Sequence, residues 1–246
     1  MHPAPAAVKI GGNQRSDDPE DTMGTSVTFK RPDGKEAHGY LANAAQGNAP
    51  GVVVIQEWWG LSEQIKGLTD RFALAGFDAL APDLYNGVVV PYHDTEAANK
   101  EMSSLDFIDA TTQTVRGAAL YLGRNGAKVG LTGFCMGGAV TIIGACKIPE
   151  LGAAVAFYGI PPDEAARPGE VKIPLQGHFA SRDDWCTPAL VDGFESGLKA
   201  AGKPAEFYRY EADHAFVNEQ RAAVHDREAA ELAWGRAADF FHKHLG

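Results

Sequence analysis

Gly133-Phe134-Cys135-Met136-Gly137-Gly138 is the stretch that decides how this chain is read. It follows residues 127–132, a short apolar run that reads as a strand, and precedes residues 139–146, which read as a buried helix. A reactive side chain on a sharp strand-to-helix turn sits on strained backbone and projects above the sheet. The residues two before and two after it must then be tiny, because a Cβ there would collide across the turn. Gly133 and Gly137 meet that demand, and Gly138 lets the start of the helix pack close to a strand. The pattern is G-x-S-x-G with sulfur in place of oxygen. Alone, it also fits a buried structural cysteine in a Gly-rich turn, though less well, so the surroundings must decide.

Outward from this turn, apolar runs alternate with helical spacing. Residues 25–30 and 36–42 flank Arg31-Pro32-Asp33-Gly34-Lys35, a turn signal between two strands. Residues 51–56 are a continuous β-branched run, the mark of a strand buried on both faces. Leu61, Ile65, Leu68, Phe72 and Ala75 follow a helical period, and residues 77–81 predict a strand closed by Pro82. Residues 85–94 read as loop and 95–125 as helix broken near Ser103-Ser104. Past the turn, residues 152–158, 171–177 and 205–210 predict strands, and 187–201 a helix with Pro188 in its first turn. Residues 219–244 predict a long closing helix whose apolar face carries Ala223, Ala230, Trp234, Ala237, Ala238 and Phe241. This alternation implies an α/β fold, a mostly parallel central sheet with helices on both faces. Residues 1–24 lack periodicity and are expected to form a flexible arm, leaving 25–246 as a single domain.

Composition narrows the functional classes. A chain of 246 residues with 45% hydrophobic content can bury one full core. A net charge of -10 argues against nucleic acid or an anionic membrane as partner. No run approaches the ~20 apolar residues of a membrane span, and the N-terminus lacks the apolar core of a secretory signal. Three scattered cysteines with no C-x-x-C suggest neither a disulfide framework nor a zinc site, so a reducing cytoplasm is expected. No phosphate loop or metal cluster is evident, and no cofactor is expected. The expected state is a monomer or weak homo-oligomer.

Open α/β sheets place their chemistry just past the C-terminal ends of strands. A nucleophilic Cys135 needs a base to form thiolate, and the base needs an orienting acid. In α/β-hydrolase order the acid follows the nucleophile and a histidine comes last. The strand ending near Gly177 leads into His178-Phe179-Ala180-Ser181-Arg182-Asp183-Asp184-Trp185, and the final strand into Glu211-Ala212-Asp213-His214. Cys135, then Asp183 or Asp184, then His214 satisfies the order. His178 also follows a predicted strand but lies too close to Asp183 to come after it; His225 falls in the predicted final helix. Whichever aspartate does not face His214 is expected to be solvated or to cap the helix near Pro188. Gln56-Glu57-Trp58-Trp59-Gly60 ends the most hydrophobic strand. A carboxylate there is costly unless paired. One reading swings Glu57 to solvent; the other puts it beside Cys135 as a partner of the thiol proton. On that reading the Trp58 N–H joins the Met136 N–H in an oxyanion hole. Cys146 and Cys186 read as free thiols.

Together these residues resemble the dienelactone hydrolase family, cysteine hydrolases of the α/β-hydrolase fold, from about residue 25 onward. The resemblance rests on Gln56-Glu57-Trp58-Trp59-Gly60, Ala81-Pro82-Asp83-Leu84-Tyr85, the Cys135 turn, Arg182-Asp183 and His214-Ala215-Phe216. It implies Cys135 as nucleophile, Asp183 and His214 as its partners, and Glu57 as the carboxylate controlling the thiol. Trp59, Tyr85 and Asn218 are expected to line the substrate pocket. Family members acting on dienelactone carry arginines at the positions of Gly87 and Asn218, where they hold the substrate carboxylate. Their loss implies a neutral ester or lactone, unless Arg182 or Arg221 substitutes. The expected activity is hydrolysis of a small ester or lactone through a thioester. The rivals are a broad esterase or thioesterase with phosphotriester side activity, and a non-catalytic ligand-binding protein. The complete Cys135/Asp183/His214 set argues against the last.

Overall fold

A computed structural model describes residues 23–246. The arm expected for residues 1–24 lies outside the described residues up to position 22. Met23 and Gly24 are tied down, their N–H groups donating to Asp70 Oδ2 at 3.2 Å and the Tyr40 hydroxyl at 2.6 Å.

Eight strands form one sheet in the order β1-β2-β4-β3-β5-β6-β7-β8. Strands β1 (Thr25–Lys30) and β2 (Glu36–Ala42) make an antiparallel hairpin around the Arg31–Lys35 turn. β2 pairs antiparallel with β4 (Asp78–Pro82), and every later pairing is parallel. The central strands are β3 (Gly51–Ile55), β5 (Val129–Phe134) and β6 (Leu151–Phe157). β7 (Leu175–Arg182) and β8 (Ala205–Asp213) complete the sheet. Side chains on a strand alternate between faces, so β3 feeds two cores. Val52 and Val54 pack with Phe72, Phe77, Ala233 and Phe241; Val53 and Ile55 pack with Ala118, Leu122 and Val140. Thus α1 (Glu63–Leu74) and α7 (Arg227–Leu245) cover one face. On the other lie α4 (Arg116–Leu122), α5 (Met136–Lys147) and α6 (Pro188–Ala200). α2 (Thr95–Ser104) and the short α3 (Phe107–Asp109) precede α4, with a wider π turn between α3 and α4.

Two elements differ from expectation, both near the site. β7 begins at Leu175 and runs to Arg182, so His178 is inside the strand rather than past it. Polar residues obscure this: Gln176 and His178 are buried because their hydrogen bonds are supplied by each other, Tyr210 and Glu206. The His178 Nε2–H donates to Gln176 Oε1 at 2.8 Å, and its Nδ1 accepts from the Tyr210 hydroxyl at 2.8 Å. Burial lowers the His178 pKa to about 3, so the ring stays neutral between the stacked rings of Phe157 and Tyr208. The closing helix starts at Arg227, not near Glu219. Asp226 caps it by accepting from the Ala229 N–H at 3.0 Å. Residues 219–226 form turns in which Ala223 is exposed, and His225 binds the Phe216 carbonyl from a turn rather than a helix.

Candidate active site

Cys135 lies between β5 and α5 with φ 56° and ψ −118°, a left-handed conformation costly for a side chain with a Cβ. The neighbouring glycines make the turn possible. A Cβ on Gly133 would overlap the Gly137 carbonyl oxygen, and one on Gly137 would come within 2.6 Å of the Ile55 and Gln56 carbonyls. The Met136 N–H opens α5 and has no preceding turn to bind. Among the described residues, neither it nor the Trp58 N–H has an acceptor within the chain.

The two adjacent aspartates separate cleanly. Asp183, the first residue past β7, has a fully buried side chain. Its Oδ1 accepts from the Trp185 and Cys186 N–H groups at 2.9 and 2.8 Å, and its Oδ2 accepts from His214 Nδ1 at 2.6 Å. Asp184 is exposed, and Thr187 caps α6. His214 is the first residue past β8. Its ring stands edge-on to Tyr158 and Trp185, with centroids 5.2 and 5.3 Å away. Burial acts to lower its pKa, but interaction with Asp183 and Cys135 outweighs this and raises it. The imidazolium is therefore the favoured form of this ring.

Glu57 is buried, not swung to solvent, and lines the same cavity as Cys135. Its Oε2 accepts from Asn218 Nδ2 at 2.7 Å, and its Oε1 from the Tyr158 hydroxyl at 3.3 Å. Burial raises the Glu57 pKa against these hydrogen bonds and the charge on His214. Tyr158 went unnoticed in the sequence although it directly follows β6, where chemistry gathers; its φ of 37° marks it as constrained.

The cavity above Cys135 has a volume of about 410 Å³. Trp58, Trp59, Trp185 and Met102 form much of its wall, with Arg182 and Arg221 also facing it. Two expected pocket residues lie elsewhere. Tyr85 is buried behind Met136, its hydroxyl ending 3.2 Å from the Met136 Sδ. Asn218 is only 1% exposed and occupies the space behind Glu57, because a buried carboxylate needs the donor it supplies. Arg182 is paired with Asp213 at 3.0 Å. Arg221 lies 5.7 Å over the Trp59 ring, and among the described residues it has no carboxylate within ion-pair distance. Cys146 and Cys186 are free and buried, which pushes the Cys146 thiol up to about 11 and the Cys186 thiol higher still. The described residues contain no cluster of three or more His, Cys, Asp or Glu suited to a metal, and no helix long and apolar enough to cross a membrane.

A doubly covered, mostly parallel sheet that brings a turn after β5 and the ends of β7 and β8 to one cavity defines the α/β-hydrolase fold. The family model described as "Dienelactone hydrolase family" matches residues 37–245, and the chain belongs to that family of hydrolases. It is 34% identical over 234 residues to "Protein usf" of Aquifex pyrophilus, covering 91% of this chain and all of that one. It is 32% identical to a "Putative carboxymethylenebutenolidase" of Aquifex aeolicus, with the same coverage. The crystal structure titled as a "Putative Dienelactone Hydrolase" from Klebsiella pneumoniae superposes with a TM-score of 0.78 at 29% identity, over 90% of this chain and 99% of that one.

Proposed function

We propose that this hydrolase cleaves carboxylic esters or lactones with Cys135 as nucleophile. The observation that carries the reading is the 2.6 Å bond from His214 to the buried Asp183 carboxylate, in a cavity whose lining the histidine shares with a cysteine held on strained backbone. In the resting pair the thiol proton resides on His214, leaving a thiolate beside an imidazolium. The sulfur attacks the carbonyl carbon, and the carbonyl electron pair moves to oxygen, where the Met136 and Trp58 N–H groups receive it. The intermediate collapses with cleavage of the C–O bond, and His214 gives its proton to the departing alkoxide. Neutral His214 then takes a proton from water, the hydroxide attacks the thioester, and expulsion of the thiolate releases the acid. Asp183 holds the ring so that Nδ1–H points away from the reaction. Glu57 acts through His214: when ionised, its charge favours the imidazolium and hence the thiolate. Trp59 contributes apolar wall.

The test is turnover of p-nitrophenyl acetate by wild type and Cys135→Ala, with circular dichroism to show that both fold. Loss of several orders of magnitude is expected; near-normal turnover by the folded variant would overturn the nucleophile assignment.

A further inference from the structure

Beside the cavity over Cys135 lies a second chamber of about 360 Å³. The two share Met102 and Trp185 as wall residues. Met136, Ala139 and Ile143 supply its floor at the three- and four-residue spacing of one helix face of α5, beginning immediately after Cys135. Phe107, Ile160 and Ala165 close it from α3 and from the loop after β6. Its lining includes no charged side chain, and Ser103 supplies the lone hydroxyl. An apolar lining of this kind favours an apolar guest.

We infer that this chamber receives the acyl chain of the substrate, so that the enzyme acts on esters of medium-length aliphatic or aryl acids. The inference rests on the cysteine-hydrolase reading above and extends it. Four groups surround the carbon in the tetrahedral intermediate. One is the Cys135 sulfur. A second is the oxyanion, directed at the Met136 and Trp58 N–H groups. A third is the leaving oxygen, which must meet His214 to gain its proton. The acyl substituent takes the remaining direction. No residue of the loop around His214 lines the second chamber, whereas α5 beyond Met136 does. The leaving alcohol therefore belongs in the first cavity, with Asp213, Ala215 and Val224, and the acyl chain passes Met102 and Trp185 into the second. Trp185 is 47% exposed, so its indole can turn to admit the chain.

The experiment compares kcat/KM for p-nitrophenyl acetate, butyrate, hexanoate and octanoate, in which only the acyl group changes. In wild type the value should rise about fourfold per methylene until the chamber is full. Ala165→Trp fills the chamber from its partly exposed wall and should collapse the ratio of octanoate to acetate by tenfold or more. Ile143→Ala enlarges it and should move the optimum to a longer chain. In the converse series, acetates of lengthening alcohols, Ala165→Trp should show the wild-type slope. A wild type that prefers acetate, or an unchanged octanoate-to-acetate ratio in Ala165→Trp, would overturn the proposal. A collapse confined to the alcohol series would overturn the acyl assignment as well. Failure to hydrolyse any ester, leaving wild type indistinguishable from Cys135→Ala, would sink the hydrolase reading itself, which acetate turnover alone preserves.

Discussion

Replacing Asp183 by Asn tests the site at the point where sequence offered two candidates. The amide keeps an oxygen for the Trp185 and Cys186 N–H groups, so neither buried donor is orphaned and the loop should hold its shape. What changes is the partner of His214. An NH2 facing Nδ1 makes that nitrogen an acceptor and moves the ring proton to the nitrogen that must face the sulfur and the water. The charge that supports the imidazolium disappears in the same step. A 2.6 Å charge-assisted bond to a fully buried carboxylate is lost without replacement by solvent. Such a tautomer error costs roughly 10³–10⁴-fold in turnover, or about 4–5 kcal/mol of barrier. Asp184→Asn removes an exposed carboxylate with no hydrogen-bond partner among the described residues and should stay within about threefold of wild type. The assay is kcat/KM on p-nitrophenyl acetate, together with the pH profile of iodoacetamide alkylation at Cys135. In Asp183→Asn that profile should move to higher pH, because thiolate no longer gains a stabilised imidazolium. A crippled Asp184→Asn beside a healthy Asp183→Asn would refute the reasoning.

At neutral pH, mass spectrometry should find iodoacetamide on Cys135 well before Cys146 or Cys186, whose thiols burial holds protonated; equal labelling would argue against an activated thiol. The unfolded chain protonates His178 near 6.5 and the folded chain only near 3. The unfolded state therefore binds more protons in that window, and stability should fall as pH drops through it, by about 1.4 kcal/mol per pH unit. Urea titrations of His178→Gln should show a shallower decline; an identical slope would remove His178 as the cause. A carboxylate at the end of the acyl chain would enter a chamber without a cation, so the neutral octanoate ester should exceed its carboxylate-terminated analogue by at least about tenfold in kcat/KM. If wild type prefers the anion and Arg221→Gln abolishes the preference, Arg221 reads the charge instead.

Cys135, Asp183 and His214 were legible because each directly follows a strand, and strand ends are where backbone direction and side-chain exposure combine. The Cys135 turn was the most legible part, since its glycines answer a steric demand that no other residue meets. β7 extends past its apolar start because Gln176, His178 and Tyr210 form a hydrogen-bonded chain that lets polar residues enter the core. The start of α7 was misplaced because residues 219–226 carry helix-forming residues, while the Asp226 N–H turns back to the Phe216 carbonyl. Asn218 and Tyr158 reach Glu57 from loops far away in sequence, and no spacing rule reports such a meeting.

The bond from the Trp185 backbone N–H to Asp183 has a dynamic consequence. It anchors the main chain of Trp185 to the carboxylate that orients His214, while the indole is about half exposed. An exposed side chain changes rotamer in picoseconds to nanoseconds, whereas a loop lid moves in microseconds or longer. The partition between the two chambers can therefore open and close without disturbing the acid that holds the histidine. On the proposed acyl assignment, rotation of this ring beside Met102, rather than a loop lid, would admit the chain.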